Sequence, residues 1–121
     1  DVTHKVNVND AIINDIKNNG NKSSILFADL MNFYSKTHRE VFDIDESPLH
    51  DPCVIGYLID DKIFDGKIVN VQVEEDSSLT RGETVTDWMG VTARKANCHV
   101  MINADHKTFF SILKKELQKL N

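Results

Sequence analysis

The sequence predicts a mixed α/β fold in which helices come first, a small group of strands follows, and one helix closes the chain. Three observations support this order. Apolar residues recur at helical spacing in the first half, the segment after Gly66 alternates with the period of two that strands have, and helical spacing returns at the carboxyl end. On this pattern alone the chain has too few strands for a complete doubly wound sheet.

The first two helices are predicted in the amino-terminal part of the chain. One covers residues 10–18, because Asn9 is a natural N-cap and Gly20 follows as a stop. Its apolar stripe consists of Ile12, Ile13 and Ile16. The other covers residues 24–36 and is apolar around most of its circumference, so we expect it to be buried on several sides.

A third helix starts inside the stretch SPLHDPCVIGYLID, residues 47–60. Pro52 fits the first helical position, where the amide hydrogen has no partner in the helix, and Asp51 just before it fits the N-cap. The helix is predicted to continue through Ile59. The two prolines of the stretch therefore brace a turn at the start of an apolar helix.

Three strands and a final helix are predicted in the second half of the chain. The strands are expected at residues 67–74, 84–87 and 97–102, with the polar stretch EDSSLTRGE as the turn between the first two. The final helix is predicted to begin near Asp105. One of its faces carries Phe109, Leu113, Leu117 and Leu120 at helical spacing.

Composition and charge argue against two classes of partner. The chain has 121 residues, is 40% hydrophobic, and carries a formal net charge of −5. Its longest basic cluster is the pair Lys114 and Lys115, so the phosphate-binding surface that nucleic acid requires is missing. No apolar run reaches the roughly 18 residues of a membrane span, and the amino end lacks the basic-then-apolar order of a signal peptide. We therefore expect a cytoplasmic protein that binds neither nucleic acid nor membrane.

The two cysteines, Cys53 and Cys98, are isolated in the sequence. The absence of CxxC spacing argues against a disulfide framework and against a zinc site, so each is expected to be buried and unpaired. The sequence also contains no internal repeat and no proline-rich linker. Residues 1–121 are therefore expected to form one segment without an internal domain boundary.

His50 and Asp51 are the candidate chemical groups. An imidazole is the side chain best suited to exchange a proton near neutral pH. A carboxylate at a helix N-cap stays ionised because the helix amides favour its charge, and its oxygens can bind a hard cation such as Ca²⁺ or Mg²⁺. Taken alone, the dipeptide also fits an N-capping aspartate beside a surface histidine, and this alternative stays open.

Four segments of the sequence resemble a known family. They are DVTHKVNV, SPLHDPCVIGYLID, VNVQVEEDSSLTRGETVTDW and GVTARKANCHVMINADHKTFFSILKKEL. Together they resemble the carboxyl-terminal part of the inosine-uridine preferring nucleoside hydrolases, and the resemblance covers essentially the whole chain. The most specific pieces are PLHDP and LTRGETV, which have the order and separation found in the family.

This resemblance implies a Rossmann-like α/β fold and an activity. Members of the family hydrolyse the N-glycosidic bond between ribose and a nucleobase with the help of a bound Ca²⁺ ion. By the resemblance, His50 corresponds to the histidine that protonates the departing base and Asp51 to an aspartate that ligates calcium. Tyr34 and His38, one helical turn apart, fall in the region that contacts the nucleobase. The implied substrates are inosine, uridine or similar nucleosides, and the implied assembly is a homo-oligomer.

The acidic signature of the family, DxDxGxDD, is absent from this sequence. In the family it lies near the amino end and supplies most calcium ligands and the base that activates water. The nearest acidic cluster, DIDE at residues 43–46, lacks the glycine and the second aspartate pair and is expected to be a solvated loop.

We therefore expect residues 1–121 to be the carboxyl-terminal part of a hydrolase domain that lacks its amino-terminal part, and to be inactive alone. The alternative is a non-catalytic folded module that binds a nucleoside or another subunit. The preference for purine or pyrimidine bases stays open.

Overall fold

The computed structural model describes residues 2–121, and its elements are a mixture of helices and strands. In chain order they are a 3₁₀ turn Val2–Lys5, β1 Asn7–Val8, α1 Asp10–Lys17, α2 Lys22–Phe42, β2 Ser47–Pro48, α3 Asp51–Ile59, a second 3₁₀ turn Asp61–Ile63, β3 Phe64–Val73, β4 Thr84–Asp87, β5 Cys98–Ala104 and α4 His106–Gln118. The predicted mixed α/β class is confirmed. Among residues 2–121, no helix is long and apolar enough to cross a membrane.

The larger sheet has three antiparallel strands in the order β4-β3-β5. The pairs at the ends of its two registers are Phe64 with Ala104, Val69 with Cys98, Asn70 with Asp87, and Val73 with Thr84. β3 begins earlier than the predicted residue 67, because a bulge between Asp65 and Gly66 lets the pairing continue past the glycine. A Cβ at Gly66 would lie 2.6 Å from the carbonyl oxygen of Val100, so this close pairing requires glycine.

A second, two-stranded sheet joins the amino end of the chain to the turn before α3. β1 and β2 pair antiparallel, with Asn7 opposite Pro48 and Val8 opposite Ser47. The amide of Leu49 extends the pairing by donating to the carbonyl oxygen of Val6 at 3.0 Å. The sequence analysis did not predict these strands, because two-residue strands are too short to show a period of two.

α2 is longer and less buried than predicted. It starts before residue 24 because the side chain of Asn21 caps it, and it continues to Asp43, whose φ of 55° ends the helix. The expected burial on several sides is wrong. The exposed fractions of Leu26, Leu30 and Phe33 are 60%, 56% and 75%. The rest of the described chain covers only one face, which carries Ser24, Ala28 and Ser35.

The predicted N-cap of α3 is also wrong. The helix begins at Asp51, and His50 occupies the N-cap position with helical dihedral angles, φ −78° and ψ −68°, and no side-chain cap hydrogen bond. Pro52 is therefore the second helical residue. It fits there as well as at the first position, because none of the first amides of a helix bonds within the helix.

The core lies where the amino-terminal strand meets all four helices. Its buried residues are Val6, Val8, Ile13, Ile16, Ala28, Leu49, Cys53, Ile63, Phe109 and Phe110. α3 and α4 pack closely at Gly56, since a Cβ there would lie 2.8 Å from Cε2 of Phe109. Of the predicted face of α4, Phe109 is buried and both Leu113 and Leu117 pack on the core. Leu120 is exposed because it lies beyond the end of the helix.

The two thiols differ in environment. Cys53 is buried and unpaired, as expected. The expected burial of Cys98 is wrong, because it starts β5 at the edge of the sheet and is exposed. Both cysteines are free.

Replacing Gly56 with Ala is expected to destabilise the fold by about 1 kcal/mol. The added methyl group forces the buried ring of Phe109 to move, at a cost of roughly 1–3 kcal/mol, while alanine recovers about 1 kcal/mol of helix propensity. Urea unfolding followed by circular dichroism measures the difference. Val54→Ala, at an exposed position of the same helix, is the control and should change the midpoint little. A more stable Gly56→Ala variant would contradict the close packing.

The N-cap of α4 is expected to make part of the stability pH-dependent. Asp105 accepts hydrogen bonds from the amide and the hydroxyl of Thr108, at 3.0 Å and 2.6 Å. These bonds, the hydroxyl one first, lower the pKa of Asp105 below its ordinary value of 3.8. Its contribution is therefore complete above that value and is lost as the pH falls through the lowered pKa. Asparagine caps without titrating, so Asp105→Asn should lose less stability than the parent chain between neutral and acidic pH. Equal losses in urea unfolding would contradict this.

Candidate functional site

The candidate site lies at the start of α3, where a buried residue holds the backbone in place. Leu49 is 4% exposed and belongs to the core, and its amide is bonded to Val6. The next two side chains, His50 and Asp51, are both exposed. The polar pair is therefore presented to solvent by an anchored, apolar segment.

His50 is held on one side by the amino-terminal turn. Its Nδ1 lies 2.7 Å from Oγ1 of Thr3. The ring of His4 stands edge-on to that of His50, with 5.6 Å between the ring centroids and an interplanar angle of 63°. Among residues 2–121, Nε2 of His50 has no hydrogen-bond partner. This nitrogen is the one left for a ligand.

Asp51 is the first residue of α3, and its carboxylate does not cap the helix. Within residues 2–121 its oxygens accept no hydrogen bond from another side chain or from the backbone. The amino end of a helix favours a negative charge. Asp51 is therefore a carboxylate at the amino end of a helix, without a hydrogen-bond partner among the described residues.

The two side chains line different cavities on different faces of α3. His50 lines a cavity of about 320 Å³ together with Thr3, Val54 and Tyr57. Asp51 lines another of about 360 Å³, between α3 and α4, with Gly56 among its walls. Neither cavity is lined by both side chains. A binding site that includes both His50 and Asp51 therefore needs further lining residues from outside residues 2–121.

Tyr34 and His38 lie together on the carboxyl-terminal half of α2. Their ring centroids are 5.4 Å apart, and the ring of Phe42 follows one turn later, 4.8 Å from that of His38. Between them the buried hydroxyl of Ser35 accepts a hydrogen bond from Oγ of Ser47 at 3.2 Å. This bond ties α2 to the strand that leads into His50. Among the described residues, neither Tyr34 nor His38 makes a ring contact with His50.

The described residues do not form a calcium site by themselves. Calcium takes about six to eight oxygen ligands. Among residues 2–121 there is no group of three or more His, Cys, Asp or Glu side chains that could hold a metal ion. In the acidic segment at residues 43–46, Asp45 is paired with Arg39 at 3.6 Å and Glu46 with Asn9 at 3.4 Å. These acidic side chains make surface contacts, and Asp51 can supply only part of a ligand set.

Cys53 lines the same cavity as His50 but is not a candidate nucleophile. Burial raises the pKa of its thiol. Its Sγ donates to the carbonyl oxygen of Leu49 at 3.0 Å. A thiol held protonated in this way has a structural role, since reactive cysteines have a lowered pKa.

Comparison with known proteins identifies the family. The family model described as inosine-uridine preferring nucleoside hydrolase matches residues 1–111. The chain belongs to this family. The resemblance inferred from PLHDP and LTRGETV is thereby confirmed.

Relatives and solved structures agree with this assignment. The pyrimidine-specific ribonucleoside hydrolase RihA of Salmonella typhi is 36% identical over 119 residues, which are 98% of this chain and 38% of the relative. A plant nucleoside hydrolase superposes with a TM-score of 0.79 at 25% identity, over 97% of this chain and 39% of that one. A purine-preferring ribonucleoside hydrolase from Gardnerella vaginalis gives 0.81 at 21% identity, over 98% and 38%, which shows likeness of fold. The nucleoside hydrolase fold is thus confirmed for a chain that spans about 38% of its relatives' length.

Two neighbours of His50 in this nucleoside hydrolase chain were missed by sequence reasoning. The sequence analysis singled out neither His4 nor Thr3. Thr3 and His50 are separated by 47 positions, so no local spacing connects them. The signal that could have found them is the shared presence of DVTHKVNV and PLHDP among the family segments.

Proposed function

We propose that this chain is the carboxyl-terminal part of a nucleoside hydrolase that releases free base and ribose from ribonucleosides, with His50 as the acid that protonates the departing base. The observation that supports this most is the placement of His50. In a chain of this family, an exposed imidazole stands at the start of α3 with Nδ1 engaged by Thr3, while Nε2 has no hydrogen-bond partner among residues 2–121.

The reaction explains why such a group is needed. The bond between C1′ of ribose and the base nitrogen breaks with its electron pair going to the base, and the sugar acquires oxocarbenium character. A proton from Nε2 of His50 lets the base leave in neutral form, which lowers the barrier. Water then adds its oxygen to C1′ and loses a proton, which balances the proton that His50 gave.

Asp51 is proposed to contribute one carboxylate to a calcium site. Its free oxygens and its place at the amino end of α3 support this role. Further carboxylate ligands would come from outside residues 2–121, since these residues hold no group of three or more His, Cys, Asp or Glu side chains that could bind a metal ion. When bound, calcium would polarise the attacking water.

Tyr34 and His38 are proposed to contact the nucleobase. Their rings lie side by side on α2 and offer aromatic faces on which a base can stack. The Ser35–Ser47 hydrogen bond supports a fixed relation between this helix and the His50 segment. Because the named relatives include a pyrimidine-specific and a purine-preferring enzyme, the proposed substrates are inosine, uridine or similar nucleosides.

The proposed partner of this chain is the amino-terminal remainder of the same domain. α3 is apolar around its circumference, yet only Cys53 and Gly56 are buried, and its remaining apolar side chains face solvent. An apolar surface of this kind marks a contact with protein.

A homo-oligomer is also proposed, supported by the exposed Leu79, Met89 and Val91 beside β4. The two free thiols support a cytoplasmic location, where cysteines stay reduced.

A non-catalytic module that binds a nucleoside or a subunit is the second candidate. The lack of a calcium ligand group among residues 2–121 favours it for the isolated chain. It and the enzyme proposal differ in what happens when the rest of the domain is supplied.

The isolated chain is expected to show no hydrolysis of inosine or uridine with calcium present, because the calcium ligands and most of the substrate pocket are missing. Adding the amino-terminal part of the domain as a second polypeptide should restore release of free base, and a calcium chelator should abolish it again. Chromatography of the released base measures both. Turnover by the isolated chain, or none by the reassembled domain, would contradict the proposal.

In the complete protein, His50→Ala is expected to lower kcat on inosine by roughly 10²–10⁴-fold, the usual contribution of a general acid. A nitrophenyl riboside serves as the internal control, because its leaving group departs as a stable anion and needs no proton. The variant should keep most of its activity on that substrate. Equal losses on both substrates, or full activity on inosine, would remove the proposed role of His50.

A further inference from the structure

We propose that Thr3 is a positioning residue for the acid, holding the imidazole of His50 so that Nε2 points at the departing base. This inference rests on the proposed function for the role of His50. It concerns a hydrogen bond between two side chains 47 positions apart, with 2.7 Å between Oγ1 of Thr3 and Nδ1 of His50.

The backbone around this hydrogen bond is well fixed. Thr3 lies in the 3₁₀ turn Val2–Lys5, whose Thr3 carbonyl oxygen accepts from the amide of Val6 at 3.1 Å. Val6 is fully buried and its own carbonyl oxygen accepts from Leu49, the residue before His50. A short chain of backbone hydrogen bonds therefore sets the distance between the two side chains.

The ring of His50 is held at two places. Thr3 engages Nδ1, and the ring of His4 meets that of His50 edge-on. Thr3 and His50 also line the same cavity, together with the apolar side chains of Val2 and Val54. Rotation of the imidazole about its χ angles would break the hydrogen bond and the ring contact together. Nε2, which has no hydrogen-bond partner among residues 2–121, therefore points in one fixed direction.

A hydroxyl suits both states that the acid must pass through. When His50 is an imidazolium, Nδ1–H donates to Oγ1 of Thr3 and Nε2–H is available to the base. As the glycosidic bond breaks, its electron pair goes to the base nitrogen, which takes the proton of Nε2. His50 is then neutral with its remaining proton on Nδ1, still donated to Thr3. The hydrogen bond persists through the transfer, so the ring need not turn during the step.

Two substitutions separate the hydroxyl from the shape of the side chain. Thr3→Val keeps the branched shape and removes the hydroxyl, whereas Thr3→Ser keeps the hydroxyl. In the complete protein we expect Thr3→Val to lower kcat on inosine by roughly tenfold with little change in KM, the effect of one lost hydrogen bond in the transition state. Thr3→Ser should restore most of kcat. Activity on a nitrophenyl riboside should change little in either variant.

A spectroscopic measurement tests the hydrogen bond without relying on turnover. Long-range proton–nitrogen correlations of the complete protein, labelled with ¹⁵N-histidine, report the chemical shift of Nδ1 of His50, which depends on its hydrogen bonding. The parent protein and Thr3→Ser should share one Nδ1 shift, and Thr3→Val should differ from both. Thr3→Ala serves as the second hydroxyl-free variant if Thr3→Val does not fold, as judged by circular dichroism.

The outcomes distinguish this inference from the proposed function. An unchanged Nδ1 shift in the hydroxyl-free variant, or a changed Nδ1 shift with unaltered kcat, would overturn the positioning role of Thr3 while leaving His50 as the acid. Full activity of His50→Ala on inosine would overturn the proposed function itself. Loss of kcat with a changed Nδ1 shift, both reversed by serine, supports the inference.

Discussion

The pairing of β1 with β2 is the constraint on which the candidate site depends. The two strands contain two residues each, yet they join the amino end of the chain to the turn that precedes α3. Val6 and Leu49, linked by a backbone hydrogen bond, are both in the core. Their burial holds Thr3 and His50 at a fixed separation. The geometry of the polar side chains of the site thus depends on apolar neighbours in the core.

The second important feature is the large exposed apolar surface of α2 and α3. α3 presents one face to the core and leaves the others in solvent, and α2 does the same. The two cavities beside α3 lie on different faces of this helix, one lined by His50 and one by Asp51. Both observations fit a chain that covers about 38% of the length of its relatives.

The sequence predicted the parts of the fold that periodic patterns record. The start of α1, the extent of β4 and the N-cap of α4 agree with the expectation. The features that differ from the prediction are those that leave no periodic pattern in the sequence. Pro52 tolerates several positions in the first helical turn, so the cap of α3 was misplaced by one residue. The bulge at Gly66 hid the start of β3, since a glycine without a side chain interrupts the alternation.

The candidate site was predicted in part. His50 and Asp51 were found from their residue types and from the family resemblance, and the structure places both at the start of α3. Thr3 and His4 were not found, because their contacts with His50 arise from a pairing between distant segments. The burial of α2 was overestimated. An apolar sequence shows that the faces of a helix can be buried, but it does not show whether the segment that buries them lies within the same stretch of chain.

The buried hydroxyl pair of Ser35 and Ser47 has an evolutionary consequence. It is a single bond between the helix that carries Tyr34 and His38 and the strand that leads to His50. A mutation that tilts this helix therefore pulls on the strand as well. If Tyr34 and His38 contact the base as proposed, adaptation to a new nucleoside would have to keep this serine pair intact or replace it by another contact of the same length.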